Sequence, residues 1–192
     1  MRITGGQAAR RQLKVPKGLG VRPTPDLVKQ AVFNSLGARV VDARVLELFG
    51  GTGALSLECL SRGAKSAICI EKSSRHAAVL RDNVASSGFT PESLQVRTQD
   101  VFAVLPQMAQ AGEQFDLILA DPPYGEKNVG RRSESFAQQL LDHADLPKLL
   151  APGGRLVLGH ARRDTLTIPD GWVEKKALKH GDCMMQFLER GI

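Results

Sequence analysis

Val45-Leu46-Glu47-Leu48-Phe49-Gly50-Gly51-Thr52-Gly53-Ala54-Leu55 is a short apolar run, a glycine-rich turn and the start of a second apolar run. The first part has the length of a strand and the part after Gly53 the composition of a helix, so the segment reads as strand, turn, helix. Glycines let the backbone turn tightly and come close to a ligand, and a helix N-terminus favours an anionic group. That points to a nucleotide-like ligand at the turn. The two common phosphate signatures do not fit. A dinucleotide fingerprint starting at Gly51 needs glycine or alanine where Ser56 stands, and no G-x-x-x-x-G-K run occurs.

Outward from that turn, strands and helices alternate. Strands are predicted over 44–49, 66–70, 94–98, 115–120 and 155–158, with two more over 172–178 and 183–188 around Lys179-His180-Gly181-Asp182. Helices are predicted over 54–62 and 74–87, ended by Gly63 and Gly88, over 101–111 with an interruption at Pro106, and over 135–150 with a break before Pro147 and a stop at Pro152-Gly153-Gly154. Upstream, Thr24 reads as an N-cap, Pro25 as the first helical residue and Asp26 as a first-turn acid, followed by an apolar stripe from Leu27 to Leu36 that Gly37 ends. The pattern predicts an α/β fold, a doubly wound seven-stranded Rossmann-like sheet that is mostly parallel and ends in a C-terminal antiparallel hairpin. A small basic extension over 1–25, an arm or hairpin, precedes one domain over 26–192.

Of 192 residues, 42% are hydrophobic and 24% charged, which suits a folded globular protein. The start lacks a secretion-type apolar run, and no stretch is long enough to span a bilayer, so a cytoplasmic protein is expected. Three cysteines without C-x-x-C spacing and four scattered histidines predict no metal site. The net charge is +6, and Arg2, Arg10, Arg11, Lys14, Lys17 and Arg22 lie in the first 25 residues, which contain no acid. Removing those six from the 26 basic residues leaves 20, equal to the 20 acidic ones. The whole excess is therefore N-terminal, the footprint expected of phosphate-backbone binding.

Phe115-Asp116-Leu117-Ile118-Leu119-Ala120-Asp121-Pro122-Pro123-Tyr124-Gly125 reads as a buried strand stopped by two prolines. Asp121 at the strand's carboxyl end and Tyr124 just beyond it occupy the position where open α/β sheets place their chemistry. They offer an acceptor for an amine and a face for a planar ring. Glu71 closes the second strand twenty residues after Gly51, suited to ribose hydroxyls, and Asp100 with Val101 follows the third strand, where they could frame an adenine.

These motifs resemble the class I S-adenosylmethionine-dependent methyltransferases that modify exocyclic amines. Met1-Arg2-Ile3-Thr4-Gly5-Gly6, Leu13-Lys14-Val15-Pro16, Val21-Arg22-Pro23-Thr24, Ala31-Val32-Phe33-Asn34-Ser35-Leu36 and Leu60-Ser61-Arg62-Gly63-Ala64 narrow the likeness to the bacterial small-subunit ribosomal RNA guanine-N2 methyltransferases. The resemblance implies S-adenosylmethionine held by Glu47, Gly50, Gly51, Gly53, Glu71, Lys72, Asp100, Val101 and Thr24. The catalytic set it implies is Asp121, Pro122 and Tyr124. Asp121 and the Pro122 carbonyl would accept the two amine hydrogens and aim the nitrogen lone pair, positioning that can contribute up to roughly 7–11 kcal/mol. Tyr124 would stack on the base.

RNA would meet Arg2, Arg10, Arg11, Lys14, Lys17 and Arg22, and also Lys127, Arg131 and Arg132 in a mobile basic loop after the motif. The implied partner is small-subunit rRNA or an assembling ribosomal subunit, with the protein acting as a monomer and without a membrane. The chain departs from the family pattern at Gly50, where alanine is usual, and at Gly159-His160, where an acid is expected after the fifth strand. Met184 and Met185 replace the branched aliphatics expected in the last strand. The rivals are a DNA adenine-N6 or protein-glutamine methyltransferase, and a non-catalytic RNA-binding protein that keeps the fold.

Overall fold

In the computed structural model, residues 1–16, 24–128 and 131–191 are described. The chain divides into two units, Met1–Val101 and Phe102–Ile192. Together they supply a seven-stranded mixed sheet with helices, the expected fold class.

The first unit is built on three parallel strands in the order β3-β2-β1: β1 (Arg44–Leu48), β2 (Ser66–Ile70) and β3 (Leu94–Arg97). Register runs from Arg44 opposite Ser66 to Leu48 opposite Ile70, so β1 and β2 end together at their carboxyl ends. Helix α1 (Asp26–Leu36) starts one residue later than predicted. Its cap is Pro25, whose side chain has no oxygen to offer, and Asp26 in the first turn instead pairs with Arg2 and Lys29. All eight residues of α2 (Ala54–Ser61) are buried, including Glu58, whose carboxylate accepts from the Thr4 hydroxyl and Arg62. Helix α3 (Ser74–Ser86) is capped by the Ser73 hydroxyl, which accepts the His76 N–H.

Residues 1–13 of the basic extension form a hairpin. Arg2 bridges Gln12 in antiparallel fashion, and the Ile3 N–H to Arg11 C=O and Leu13 N–H to Met1 C=O bonds measure 3.0 and 2.9 Å. Ile3, Ala8 and Leu13 are buried, so the hairpin has a core of its own against the unit. Ser61 of α2 holds its tip, accepting the Gln7 N–H at its carbonyl (2.7 Å) and the Ala8 N–H at its hydroxyl (2.9 Å). Gly6 is required there: it has φ +77° and a Cβ would lie 1.8 Å from the Ser61 carbonyl.

The second unit has strands in the order β4-β5-β7-β6: β4 (Phe115–Ala120), β5 (Leu150–Ala161), β6 (Trp172–His180) and β7 (Cys183–Arg190). β4 and β5 are parallel, and the β5–β7 and β7–β6 pairs are antiparallel. Helix α4 (Val101–Gln110) is continuous through Pro106, contrary to the predicted interruption. Pro106 is exposed, and the bond its missing N–H forgoes is outweighed by the burial of Val104, Leu105 and Met108. Helix α5 (Phe136–Asp142) is shorter than predicted, and a separate 3-10 turn covers Leu146–Leu149.

Pro152-Gly153-Gly154 lies inside β5 rather than ending a helix. The register with β4 jumps from Phe115 opposite Leu150 to Leu117 opposite Arg155, so these residues form a bulge. Gly154 fits it because a Cβ would approach the carbonyls of Ala151 and Phe115 to 2.9 and 3.0 Å.

Candidate active site

In the first unit the candidate residues gather at the glycine turn after β1. The Gly50 N–H bonds the Ile70 carbonyl at 2.8 Å and the Gly53 N–H closes the turn on the Gly50 carbonyl at 2.7 Å. Gly51 and Gly53 have φ +54° and +74°, the left-handed region that a side chain resists. A Cβ at Gly51 would meet only the Phe49 carbonyl, at 4.0 Å, which leaves the turn open for close approach.

At Gly50 the departure from alanine has a local cause: a Cβ would come within 2.2 Å of Cys69 Sγ, so the cysteine on β2 occupies that space. Cys69 is buried, and burial pushes its thiol well above the ordinary value.

Glu71 faces this turn. One carboxylate oxygen accepts the Gly51 N–H at 2.8 Å and the other the Ser73 N–H at 2.7 Å, with His76 Nδ1 at 3.7 Å. Two carboxylate oxygens have about four acceptor sites, so each oxygen can take another donor such as a ribose hydroxyl. The residues therefore fit a nucleoside-bearing cofactor.

Glu47 does different work. It is buried, accepts the Ser56 N–H at 2.9 Å at the start of α2 and takes the Cys69 thiol at 3.4 Å. Burial raises its carboxyl to about 7. Lys72 and Asp100 pair with each other at 2.9 Å, Val101 is buried as the first residue of α4, and Thr24 is buried ahead of α1.

In the second unit the candidate residues lie at the end of β4. Asp121 follows Ala120, Pro122 is buried, and Tyr124 is half-buried. Oδ1 of Asp121 is shielded from solvent and lies against β5 at Gly159, where a Cβ would stand 2.4 Å from Oδ1 and 3.0 Å from Cγ. Gly159, opposite Met185 of β7, thus supplies the vacant space in which the Asp121 carboxylate sits. Sequence reasoning saw this glycine only as a missing acid. The neighbouring His160 is buried with Nδ1 at 3.0 Å from the Ala161 carbonyl, and burial keeps its imidazole below the ordinary value, hence neutral near pH 7.

The loop after the motif, expected to be mobile, is anchored by buried Asn128. Its amide donates to the Thr165 carbonyl at 2.8 Å and accepts the Thr165 N–H at 2.9 Å. Gln138 of α5 makes the same two-bond grip on Thr167 at 2.9 and 2.7 Å. Nothing in the local sequence pattern marks either amide.

Of the expected RNA-facing cations, Arg2 pairs with Asp26, Lys14 with Asp82 and Arg132 with Asp142, while Arg11 donates to the Ser86 carbonyl. Arg10, Lys127 and Arg131 are exposed. Lys17 and Arg22 lie outside the described residues. Among the described residues no cluster of His, Cys, Asp and Glu could hold a metal ion, and no helix is long and apolar enough to cross a membrane.

A family model described as Conserved hypothetical protein 95 matches residues 1–189. Ribosomal RNA small subunit methyltransferase D of Escherichia coli (strain K12) is 38% identical over 124 residues, 65% of this chain and 60% of that protein. The Haemophilus influenzae protein of the same name is 28% identical over 172 residues, covering 90% of this chain and 84% of that one. Among solved structures, a hypothetical protein of Thermus thermophilus superposes with a TM-score of 0.78 and 29% identity, over 98% of this chain and 99% of that one. The family match spans nearly the whole chain, including both the glycine turn and the Asp121-Pro122-Pro123-Tyr124 motif. The chain belongs to the Conserved hypothetical protein 95 family and is a methyltransferase.

Proposed function

We propose that the protein transfers the methyl group of S-adenosylmethionine to the exocyclic N2 amine of a guanine in small-subunit ribosomal RNA. The observation that carries this reading is the seating of the Asp121 carboxylate against Gly159 at the head of a Pro-Pro-Tyr stop. When bound, S-adenosylmethionine supplies an electrophilic methyl on a positively charged sulfur.

The chain's own residues do the rest. A guanine amine is a poor nucleophile because its lone pair is delocalised into the ring. Asp121 and the Pro122 carbonyl accept its two hydrogens, draw the nitrogen towards tetrahedral geometry and aim the lone pair. With the cofactor bound, its methyl would pass from sulfur to the amine nitrogen, and Asp121 or solvent would take the one proton that the amine then releases. Tyr124 stacks on the base, worth about 1–3 kcal/mol. Glu71 takes the ribose hydroxyls and the open turn at Gly51 admits the cofactor, flanked by Asp100, Val101 and Lys72.

The N-terminal hairpin and the basic residues after the motif hold RNA phosphates, whether in free rRNA or in an assembling subunit. The protein works as a monomer in the cytoplasm. Asp121→Ala is expected to lower methyl transfer to rRNA by about 10²–10⁴-fold while cofactor affinity stays near wild type. Mass mapping of the methylated nucleotide in rRNA from cells with and without the gene identifies the base. Transfer that survives Asp121→Ala, or a product methylated at a site other than a guanine N2, would overturn the reading.

A further inference from the structure

We propose that the turn joining β5 to the segment before β6 is a second RNA-phosphate contact, made by Arg162 and Arg163, which no sequence motif marks. It rests on the rRNA reading above and names a surface that does part of the binding. The turn is Ala161-Arg162-Arg163-Asp164, closed by the Asp164 N–H on the Ala161 carbonyl at 2.9 Å. Ala161 and Asp164 are buried, and the two arginines between them are exposed. Buried flanks force the central residues of a tight turn outward, so both guanidinium groups are presented together.

The turn is also fixed from both sides. The Arg162 N–H bonds the Asp182 carbonyl at 2.7 Å, and Thr165 is gripped by both atoms of the Asn128 amide. That grip brings the loop carrying Lys127 and Arg131 alongside. The acids nearby are Glu126, Asp182 and buried Asp164, and among the described residues none forms an ion pair with Arg162 or Arg163. Two adjacent cations on a turn whose backbone is fixed, without an acidic partner, suit an anion with regularly spaced charges. The surface is also well placed for the chemistry. Gly159 abuts Asp121, and β5 runs two residues further, roughly 7 Å at about 3.3 Å per residue, to Ala161, where the turn begins. That distance suits the backbone of a nucleotide whose base is at Asp121.

The test is equilibrium binding of a small-subunit rRNA transcript to the full chain over a range of salt concentrations. The double variant Arg162→Ala/Arg163→Ala should weaken binding to RNA of any sequence. It should also make the plot of log affinity against log salt shallower by about 1.4–1.8, as two lost phosphate contacts predict. Arg162→Lys/Arg163→Lys should restore the slope. Lys148→Ala removes a surface charge at the opposite end of β5 and should leave the slope as in wild type. An unchanged slope in the double alanine variant, or an equal loss from Lys148→Ala, would overturn the proposal. A wild-type protein that shows no salt-dependent rRNA binding at all would instead sink the functional reading on which the proposal rests.

Discussion

Gly159 shows how a candidate catalytic carboxylate can be positioned by something absent. The Asp121 side chain lies where the Cβ of residue 159 would be, so alanine there must push the carboxylate out or deform β5. Met185 Sδ, at 3.1 Å from that Cβ, belongs to a flexible side chain that can give way, whereas Asp121 cannot without losing its aim. Gly159→Ala should therefore cut methyl transfer at least about tenfold and cost about 1–3 kcal/mol of stability by overpacking. In an Asp121→Ala background the stability cost should vanish, since the atoms it clashes with are gone. Additive effects in this double-mutant cycle, measured by denaturant unfolding, would show that Gly159 acts on something other than Asp121. The sequence alone showed Asp121 plainly, because a carboxylate before two prolines and a tyrosine is a local pattern. Its seat was not legible, because Gly159 is thirty-eight positions away and meets it only through strand pairing.

At the scale of elements, the strands that read best were those with unbroken apolar runs. β2 and β4 have the predicted limits. β5 was read as four residues and has twelve, because Pro-Gly-Gly signals a chain reversal locally and only a partner strand can turn it into a bulge. The glycine turn and the end of β4 were both visible as local patterns. The amides that brace them were not, since Asn83, Asn128 and Gln138 act on backbone far away in the sequence.

Asn83 on α3 is the clearest case. Its side chain accepts the Lys14 N–H at 2.8 Å and donates to the carbonyls of Lys14 and Thr52 at 2.9 and 3.0 Å, tying the hairpin to the glycine turn. Asn83→Ala leaves these groups without their partner, and with the Thr52 carbonyl the buried one of the three it should cost about 1–3 kcal/mol. Amide hydrogen exchange at Ile3 and Leu13 should quicken in that variant. Hairpin protection equal to wild type would show that the Asn83 link is dispensable.

For the molecule as a whole, one buried group dominates the expected pH response. Glu47 is raised from 4.5 to about 7, chiefly by burial and against the hydrogen bonds from Ser56 and Cys69. Below about pH 4.5 it is protonated folded or unfolded. As pH rises towards 7 the unfolded chain ionises while the folded one keeps its proton, so stability falls, and above 7 the loss is complete. The shift corresponds to about 3 kcal/mol. Glu47→Gln keeps an acceptor for Ser56 and should flatten the decline in unfolding free energy between about pH 5 and about pH 8. A variant that declines as steeply as wild type would assign the pH dependence to other groups. The charge excess, by contrast, was legible in full: composition placed it in the first 25 residues, and the structure adds that Arg2, Arg10 and Arg11 stand on a folded hairpin.

That hairpin also fixes an order in time. Its first residues leave the ribosome before anything they bond to, for Lys14 waits for Asn83, 69 residues later. At about 5–20 residues per second the wait is roughly 3–14 s. Through that interval the nascent chain presents a basic, unfinished segment, and the methyltransferase fold closes around its own beginning only after α3 has been made.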